Sequence, residues 1–249
     1  MDLLATDIDN TLTGDRPALE RLCEQLRALR AAGELFLVLS TGRRLAQVLA
    51  GFVGESLPEA DAIISQVGTE IYLPPFSEAM APLAAWARRL HASFSRQRAL
   101  RFLQGIEGLE MQPAHYNTPL KVSAYLHEAP DPDAAAARIR QRVAAAGLAD
   151  AYQVVWSSGI HLDVIPAAAG KGNAIRFILD HLQLAPRQVI VAGDSGNDRT
   201  MFDTFPRGIV VANAQPELLQ LREEDGTHYF AQQPYAAGVA EGLRHYGIL

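Results

Sequence analysis

The sequence predicts an α/β protein: a parallel-sheet core with helices on both faces, interrupted by an inserted α+β module. Three observations carry this. Short, continuous apolar runs alternate with segments of helical period at the start of the chain and again after Pro166, the pattern of strands buried on both faces. Between those two stretches the runs alternate apolar and polar residues, as half-exposed antiparallel strands do. Acidic, hydroxyl and glycine residues gather just after the apolar runs, where open α/β sheets collect their ligands.

The elements follow in order. Residues 3–8 form a buried strand, and residues 17–32 an amphipathic helix opened by Pro17 and stopped by Gly33. Leu19, Leu22, Cys23, Leu26 and Leu29 recur there at helical spacing, so Cys23 is expected as a buried structural thiol. A second strand covers 35–39, a helix 43–52 and a third strand 62–67. The inserted module spans 78–162. It begins helical, continues as a strand over 120–126, an alanine-rich helix over 131–146, and strands over 152–156 and 160–165. Arg138, Arg140 and Arg142 read as the wet face of that helix. The core, residues 1–77 and 163–249, resumes with a helix over 171–181, a strand over 188–192, a helix over 198–205, a strand over 208–211 and a helix over 235–246.

Composition narrows the function. With 22 Lys plus Arg against 28 Asp plus Glu and no long basic run, a nucleic-acid partner is disfavoured. One cysteine permits no intrachain disulfide and fits a reducing compartment. Asp2, Asp7 and Asp9 stand where a signal peptide needs positive charge, and no run is apolar enough to span a bilayer. The expectation is a cytoplasmic monomer acting on a small molecule, with no membrane partner. The histidines show no paired metal-ligand spacing, which argues against zinc.

Four constellations carry chemistry. Asp7-Ile8-Asp9-Asn10-Thr11 ends the first strand with two carboxylates on one side of an extended chain. Two like charges at ~4 Å repel by about 4 kcal/mol at an effective dielectric near 20, so a cation or a shared proton is needed; otherwise Asp9-Asn10 is a turn and cap. Gly193-Asp194-Ser195-Gly196-Asn197-Asp198 ends a second strand in acids again, and hard oxygen ligands of this kind suit Mg²⁺. Ser40-Thr41-Gly42-Arg43 closes a strand and opens a helix, as an anion site or an ordinary cap. Gly170-Lys171-Gly172-Asn173 puts a lysine at a helix start against the macrodipole, where it needs an anion unless it is a surface lysine. Together they hold what phosphoryl transfer requires: a carboxylate able to attack, a metal cage, a hydroxyl donor and a cation.

In this order, Asp-x-Asp-x-Thr, Thr-Gly-Arg, Lys-Gly-Asn and Gly-Asp-Ser-Gly-Asn-Asp resemble the motifs of the haloacid-dehalogenase-like phosphohydrolases. The resemblance implies a Rossmann-like core with a cap inserted between the second and third motifs. It implies Asp7 as nucleophile and Asp9 as general acid and base, with its backbone carbonyl on Mg²⁺. It also implies Thr41 and Lys171 on the transferring phosphoryl group, with Gly42 and Arg43 beside it, Asp194 as a direct metal ligand, and Asn197 and Asp198 supporting the metal.

The segments 66–72, 121–123, 156–159 and 213–219 resemble the sucrose-phosphate phosphatase-like branch. There, Gly68, Thr69 and Glu70 of the core and Lys121, Ser123, Ser157 and Ser158 of the cap would face the sugar. Lys121, Ser123 and Tyr125 share a strand face, which is otherwise a solvated sheet face. The branch has Lys and Asp where this chain has Ile160 and His161, which leaves mannosylfructose phosphate and glucosylglycerate-type phosphates in competition with sucrose 6-phosphate. His161 and Asp163 share a face and are expected as a hydrogen-bonded pair. The implied activity is Mg²⁺-dependent hydrolysis of a sugar phosphate through an aspartyl-phosphate. A sugar-phosphate mutase and a non-catalytic phosphosugar-binding regulator are the competing readings.

Overall fold

The computed structural model describes residues 1–224 and 227–249. The chain opens with β1 (Asp2–Thr6), every residue buried, then α1 (Arg16–Ala31), capped by the Asp15 carboxylate on the Ala18 N–H. β2 (Leu35–Ser40), α2 (Leu45–Gly54), β3 (Ala62–Ser65) and β4 (Glu70–Tyr72) complete the first part of the core. α3 (Ala84–His91) and α4 (Arg96–Leu103) follow, then β5 (Glu110–Met111), β6 (Val122–Tyr125), α5 (Pro132–Ala145), β7 (Tyr152–Ser157) and β8 (His161–Pro166). The chain ends through α6 (Lys171–His181), β9 (Val189–Gly193), α7 (Arg199–Thr204), β10 (Arg207–Val210), α8 (Pro216–Leu219), α9 (Leu221–Glu224), β11 (Tyr229–Phe230) and α10 (Tyr235–His245).

Two sheets result. The larger runs β11-β10-β9-β1-β2-β3-β4 and the smaller β5-β6-β8-β7. In the larger sheet Thr6 is level with both Leu39 and Ala192, so β1, β2 and β9 end together. Their exit loops therefore meet at one edge, which is what brings Asp7, Thr41 and Asp194 close despite their separation in sequence.

The expected elements shift in ways with physical causes. Strand β1 stops at Thr6, although Asp7 still donates its N–H to the Ala192 carbonyl at 2.9 Å. The helix expected from residue 43 begins at Leu45, because Arg43 and its side chain are committed elsewhere. The strand expected to reach residue 67 ends at Ser65. Gln66, Val67 and Gly68 all adopt positive φ and turn the chain back into β4, antiparallel to β3. The core sheet is thus not wholly parallel.

Two features lie close to the boundaries expected after residues 77 and 162. Trp86 and Leu90 of α3 belong to the larger apolar core, with the Trp86 indole donating to the Gly68 carbonyl at 3.1 Å. At the other end, β8 runs to Pro166 inside the smaller sheet. That sheet is not half-exposed. Its apolar residues Val122, Ala124, Leu162 and Val164 pack with α4 and α5, around Phe102 and Ile139. Its polar residues Lys121, Ser123 and Asp163 are buried too, at 2 %, 0 % and 5 % exposure. Alternation here marks two different buried faces, not one buried and one wet. Arg142 is not simply a wet residue either: its guanidinium donates to the Phe102 and Gln104 carbonyls at the end of α4. Cys23 is buried as expected.

Candidate active site

The exit loops of β1 and β9 and the start of α6 build the site. Lys171 is fully buried, which a lysine tolerates only when paired. Its ammonium donates to Asp7 Oδ1 at 2.7 Å and to Asp198 Oδ1 at 2.5 Å. The other oxygen of Asp198 accepts the Asp194 and Ser195 N–H groups at 2.9 and 3.1 Å. Asp194 Oδ1 accepts from Thr11 Oγ1 at 3.2 Å. The glycines make this packing possible: a Cβ on Gly172 would stand 2.0 Å from the Thr200 carbonyl oxygen, and one on Gly193 2.6 Å from the Asp198 carboxylate.

Asp7, Asp194 and Asp198 each bring a carboxylate oxygen within 4.8 Å of the others, all buried. Three carboxylates thus face one ammonium. Burial pushes the Asp7 carboxyl up to about 7, against the pull of Lys171 and with Asp198 and Asp9 adding to the rise. Burial, then Asp198 and Asp7, pushes Asp194 up to about 9. Burial pulls the Lys171 ammonium down, but Asp198 and Asp7 more than offset it, so its pKa lies above the ordinary lysine value. Asp194 Oδ2 and Asn197 Oδ1 are buried with no hydrogen-bond partner among the described residues. Orphaned oxygens beside excess buried negative charge fit a hard divalent cation of the Mg²⁺ class.

Asp9 lies apart from this cluster. Its side chain is 52 % exposed, and both its oxygens accept from the Arg43 guanidinium, at distances from 2.7 to 3.1 Å. Arg43 also donates to both oxygens of Glu55, at 2.7 and 2.8 Å. The backbone at Asn10 is left-handed, φ 58°, which turns the chain sharply after Asp9. Thr41 is fully buried, and its hydroxyl oxygen accepts the Arg43 N–H at 3.1 Å.

A cavity of about 570 Å³ opens over these groups, between the two sheets. It is lined by Asp7, Asp9, Gly42, Arg43, Asp194 and Asn197 from the core and by Lys121, Ser157 and Ser158 from the smaller sheet. Lys121 and Ser123 both bond Asp163 Oδ1, at 3.1 and 2.5 Å. The expected His161–Asp163 pair does not form; His161 meets Gln112 instead. Gly68, Thr69, Glu70 and Ser123 do not line the cavity. Glu70 is taken by the hydroxyls of Ser65 and Tyr72, at 3.1 and 2.8 Å. Gly68 packs on Gly170, φ +86°, where a Cβ would come within 2.3 Å of backbone.

Sequence reasoning missed Gln47, Glu55, Gln112 and Tyr116, which also line the cavity. They sit in loops or on helix faces without motif context, so no local signal marks them. Glu217, within the segment 213–219, had no expected role; its carboxylate accepts the Ser158 N–H at 2.8 Å and so ties the α8 region to the β7–β8 turn.

Known proteins resemble this chain over nearly its whole length. Over 99 % of its length the chain is 36 % identical to the mannosylfructose-phosphate phosphatase of Agrobacterium fabrum, covering 97 % of that protein. It is 28 % identical to sucrose-phosphatase 1 of Nicotiana tabacum, but spans only 59 % of that longer protein. The sucrose-phosphatase structure of Synechocystis sp. PCC6803, in complex with sucrose and phosphate, superposes with a TM-score of 0.90 at 34 % identity, covering 99 % of this chain and 98 % of that one. Residues 1–247 match the family model of sucrose-6F-phosphate phosphohydrolase, and the chain belongs to that family of haloacid-dehalogenase-like sugar phosphatases.

Proposed function

We propose that the protein hydrolyses the phosphomonoester of a disaccharide phosphate, with Mg²⁺ held by Asp7, Asp194 and the Asp9 backbone carbonyl and steadied by Asn197 and Asp198. The observation that carries this is the buried contact of Lys171 with Asp7 beside the Asp7–Asp194–Asp198 cluster. The bound cation would offset phosphate charge and let Asp7 ionise at neutral pH. Asp7 Oδ attacks phosphorus and the bond from phosphorus to the sugar oxygen breaks. Asp9, which enters this step in its protonated form, gives its proton to that leaving oxygen. Asp9 then takes a proton from water, whose oxygen attacks the aspartyl-phosphate, releasing inorganic phosphate and restoring Asp7. Lys171 and the Thr41 region spread and position the charge on the transferring group.

The segment from α4 to β8 acts in this reading as a cap that closes the cavity and reads the sugar. Lys121, Ser157 and Ser158 line that wall, and Ser123 and Asp163 hold Lys121 in place. The similarity to phosphatases named for mannosylfructose phosphate and for sucrose supports a two-ring substrate. The reading includes a cytoplasmic monomer, which the single buried thiol suits. No helix among the described residues is long and apolar enough to cross a membrane.

The test is phosphate release with Mg²⁺ from sucrose 6-phosphate, mannosylfructose phosphate, a glucosylglycerate-type phosphate and simple hexose phosphates. Release from a disaccharide phosphate, lost in Asp7→Asn, supports the proposal. An isomeric sugar phosphate in place of free phosphate would assign a mutase instead, and tight binding without turnover a regulator.

A further inference from the structure

The chain between Asp9 and α1 is a run of turns, yet it carries the residue that the proposed reaction uses as acid and base. One side of this run is gathered on a single acceptor: the Leu12 and Thr13 N–H groups donate to the Ile8 carbonyl at 2.9 and 3.0 Å. At the start of the run Asn10 is left-handed, φ 58°, and its carbonyl oxygen accepts from Asn213 Nδ2 at 2.8 Å. Asn213 belongs to the loop after β10, and it is itself held. Its Oδ1 accepts the Tyr235 N–H at 2.9 Å. A carbonyl only accepts and a peptide N–H only donates, so the two bonds together fix which end of the amide faces Asn10.

The loop that carries Asn213 is fastened on both sides. The Ala212 N–H donates to the Gln233 carbonyl at 3.1 Å, and the Gln215 N–H to the Asp194 carbonyl at 2.7 Å. Tyr235 closes the arrangement. It too is left-handed, φ 54°, and its ring lies so near Gly14 that a Cβ there would stand 2.5 Å from it. One side-chain amide thus joins two non-glycine residues in left-handed backbone, Asn10 and Tyr235. Such conformations persist only where the surroundings over-determine them, and they cluster at functional sites. Asp9, next to Asn10, needs that hold. It has to give a proton and then take one from the same place. The Arg43 contact serves the carboxylate form. The Asn213 amide is uncharged and grips backbone, so it serves both steps alike.

Building on the sugar-phosphatase reading, we infer that Asn213 is a positioning residue for acid–base catalysis: through the Asn10 carbonyl it fixes the turn that presents the Asp9 carboxyl to the leaving sugar oxygen and then to water.

The experiment compares wild type, Asn213→Ala and Asn213→Asp, with Mg²⁺, on the better of sucrose 6-phosphate and mannosylfructose phosphate and on p-nitrophenyl phosphate. A sugar oxygen needs a proton to leave, whereas nitrophenolate leaves without one. The ratio kcat/KM covers only the steps up to departure of the leaving group, so the contrast between the two substrates isolates the acid. An acid displaced by about 1 Å can lose up to ~10²-fold in rate. In both variants kcat/KM for the disaccharide phosphate should fall about 10- to 100-fold, while that for p-nitrophenyl phosphate stays within about threefold. Asn213→Asp keeps the acceptor for the Tyr235 N–H and loses the donor to Asn10, so it separates the two contacts. In wild type the Asn213 side-chain N–H should exchange slowly with solvent, a readout independent of any variant's folding. Equal falls on the two substrates, wild-type kcat/KM for the disaccharide phosphate in Asn213→Asp, or an Asn213 amide that exchanges as fast as a free one would overturn the inference. Failure of wild type to release phosphate from any sugar phosphate would sink the parent reading instead, so the two failures are distinguishable.

Discussion

Arg43 grips both carboxylate oxygens of Asp9 through Nε and Nη2 and both of Glu55 through Nη1 and the shared Nη2, so one guanidinium joins the exit loop of β1 to the end of α2. In the proposed reaction Asp9 is the acid and base, and Arg43 holds the carboxylate form, the one that takes the proton from water. Misplacing a reacting group by about 1 Å can cost up to ~10²-fold in rate. Arg43→Lys, which cannot make the bidentate contact, should therefore lower kcat by about 10- to 100-fold. Glu55→Gln should lower it only a few-fold. Steady-state kinetics on both variants check the order; a Glu55→Gln loss exceeding that of Arg43→Lys would contradict it.

Lys171 is the cation that makes the buried acids tolerable. Lys171→Met leaves Asp7, Asp194 and Asp198 uncompensated in the interior. Breaking a buried pair in this way costs about 3–5 kcal/mol, read by urea denaturation without added metal. Asp7→Asn should instead keep the fold, because Asp198 still partners Lys171, yet lose turnover.

The metal should stabilise the protein more as pH rises. Asp7 and Asp194 have folded pKa values of about 7 and about 9, above the ordinary 3.8. The folded, metal-free protein therefore binds more protons than the unfolded chain between about pH 4 and pH 7–9. Its stability falls as pH rises through that window. A bound divalent cation removes the penalty. Mg²⁺ at about 100 times its dissociation constant adds about 2.7 kcal/mol, or about 5–10 °C in Tm for a chain of this size. Thermal unfolding with Mg²⁺ and with chelator should show a gap that is small near pH 5 and wide near pH 8. A gap independent of pH would contradict the site as drawn.

Cys23 should be inert. Burial pushes its thiol up to about 11, and its Sγ contacts the Ser56 carbonyl at 3.4 Å. Alkylation at pH 8 should be slow in the folded protein and fast in denaturant, followed by mass spectrometry.

Where several residues of the candidate site stand along the chain was legible in the sequence. Asp7, Thr41, Lys171 and Asp194 each stand where an apolar strand ends or a helix begins, and both are local signals of periodicity and breakers. A buried strand must run apolar without interruption, so its end is visible, and parallel neighbours of similar length must end at the same edge. The strands of the smaller sheet were legible for the same reason, as a change of period.

What the sequence could not decide is which distant side chains meet. That Asp198 shares Lys171 with Asp7, that Arg43 takes Asp9, and that His161 pairs with Gln112 rather than Asp163 are settled by the approach of segments far apart in sequence. Such contacts leave no periodic trace, because a polar side chain on an exit loop costs nothing locally whichever partner it finds. The same holds for the smaller sheet. Its alternating pattern specifies two chemically different faces, but only the docking of one sheet over the strand ends of the other determines that the polar face is buried as a pocket wall and not left in water.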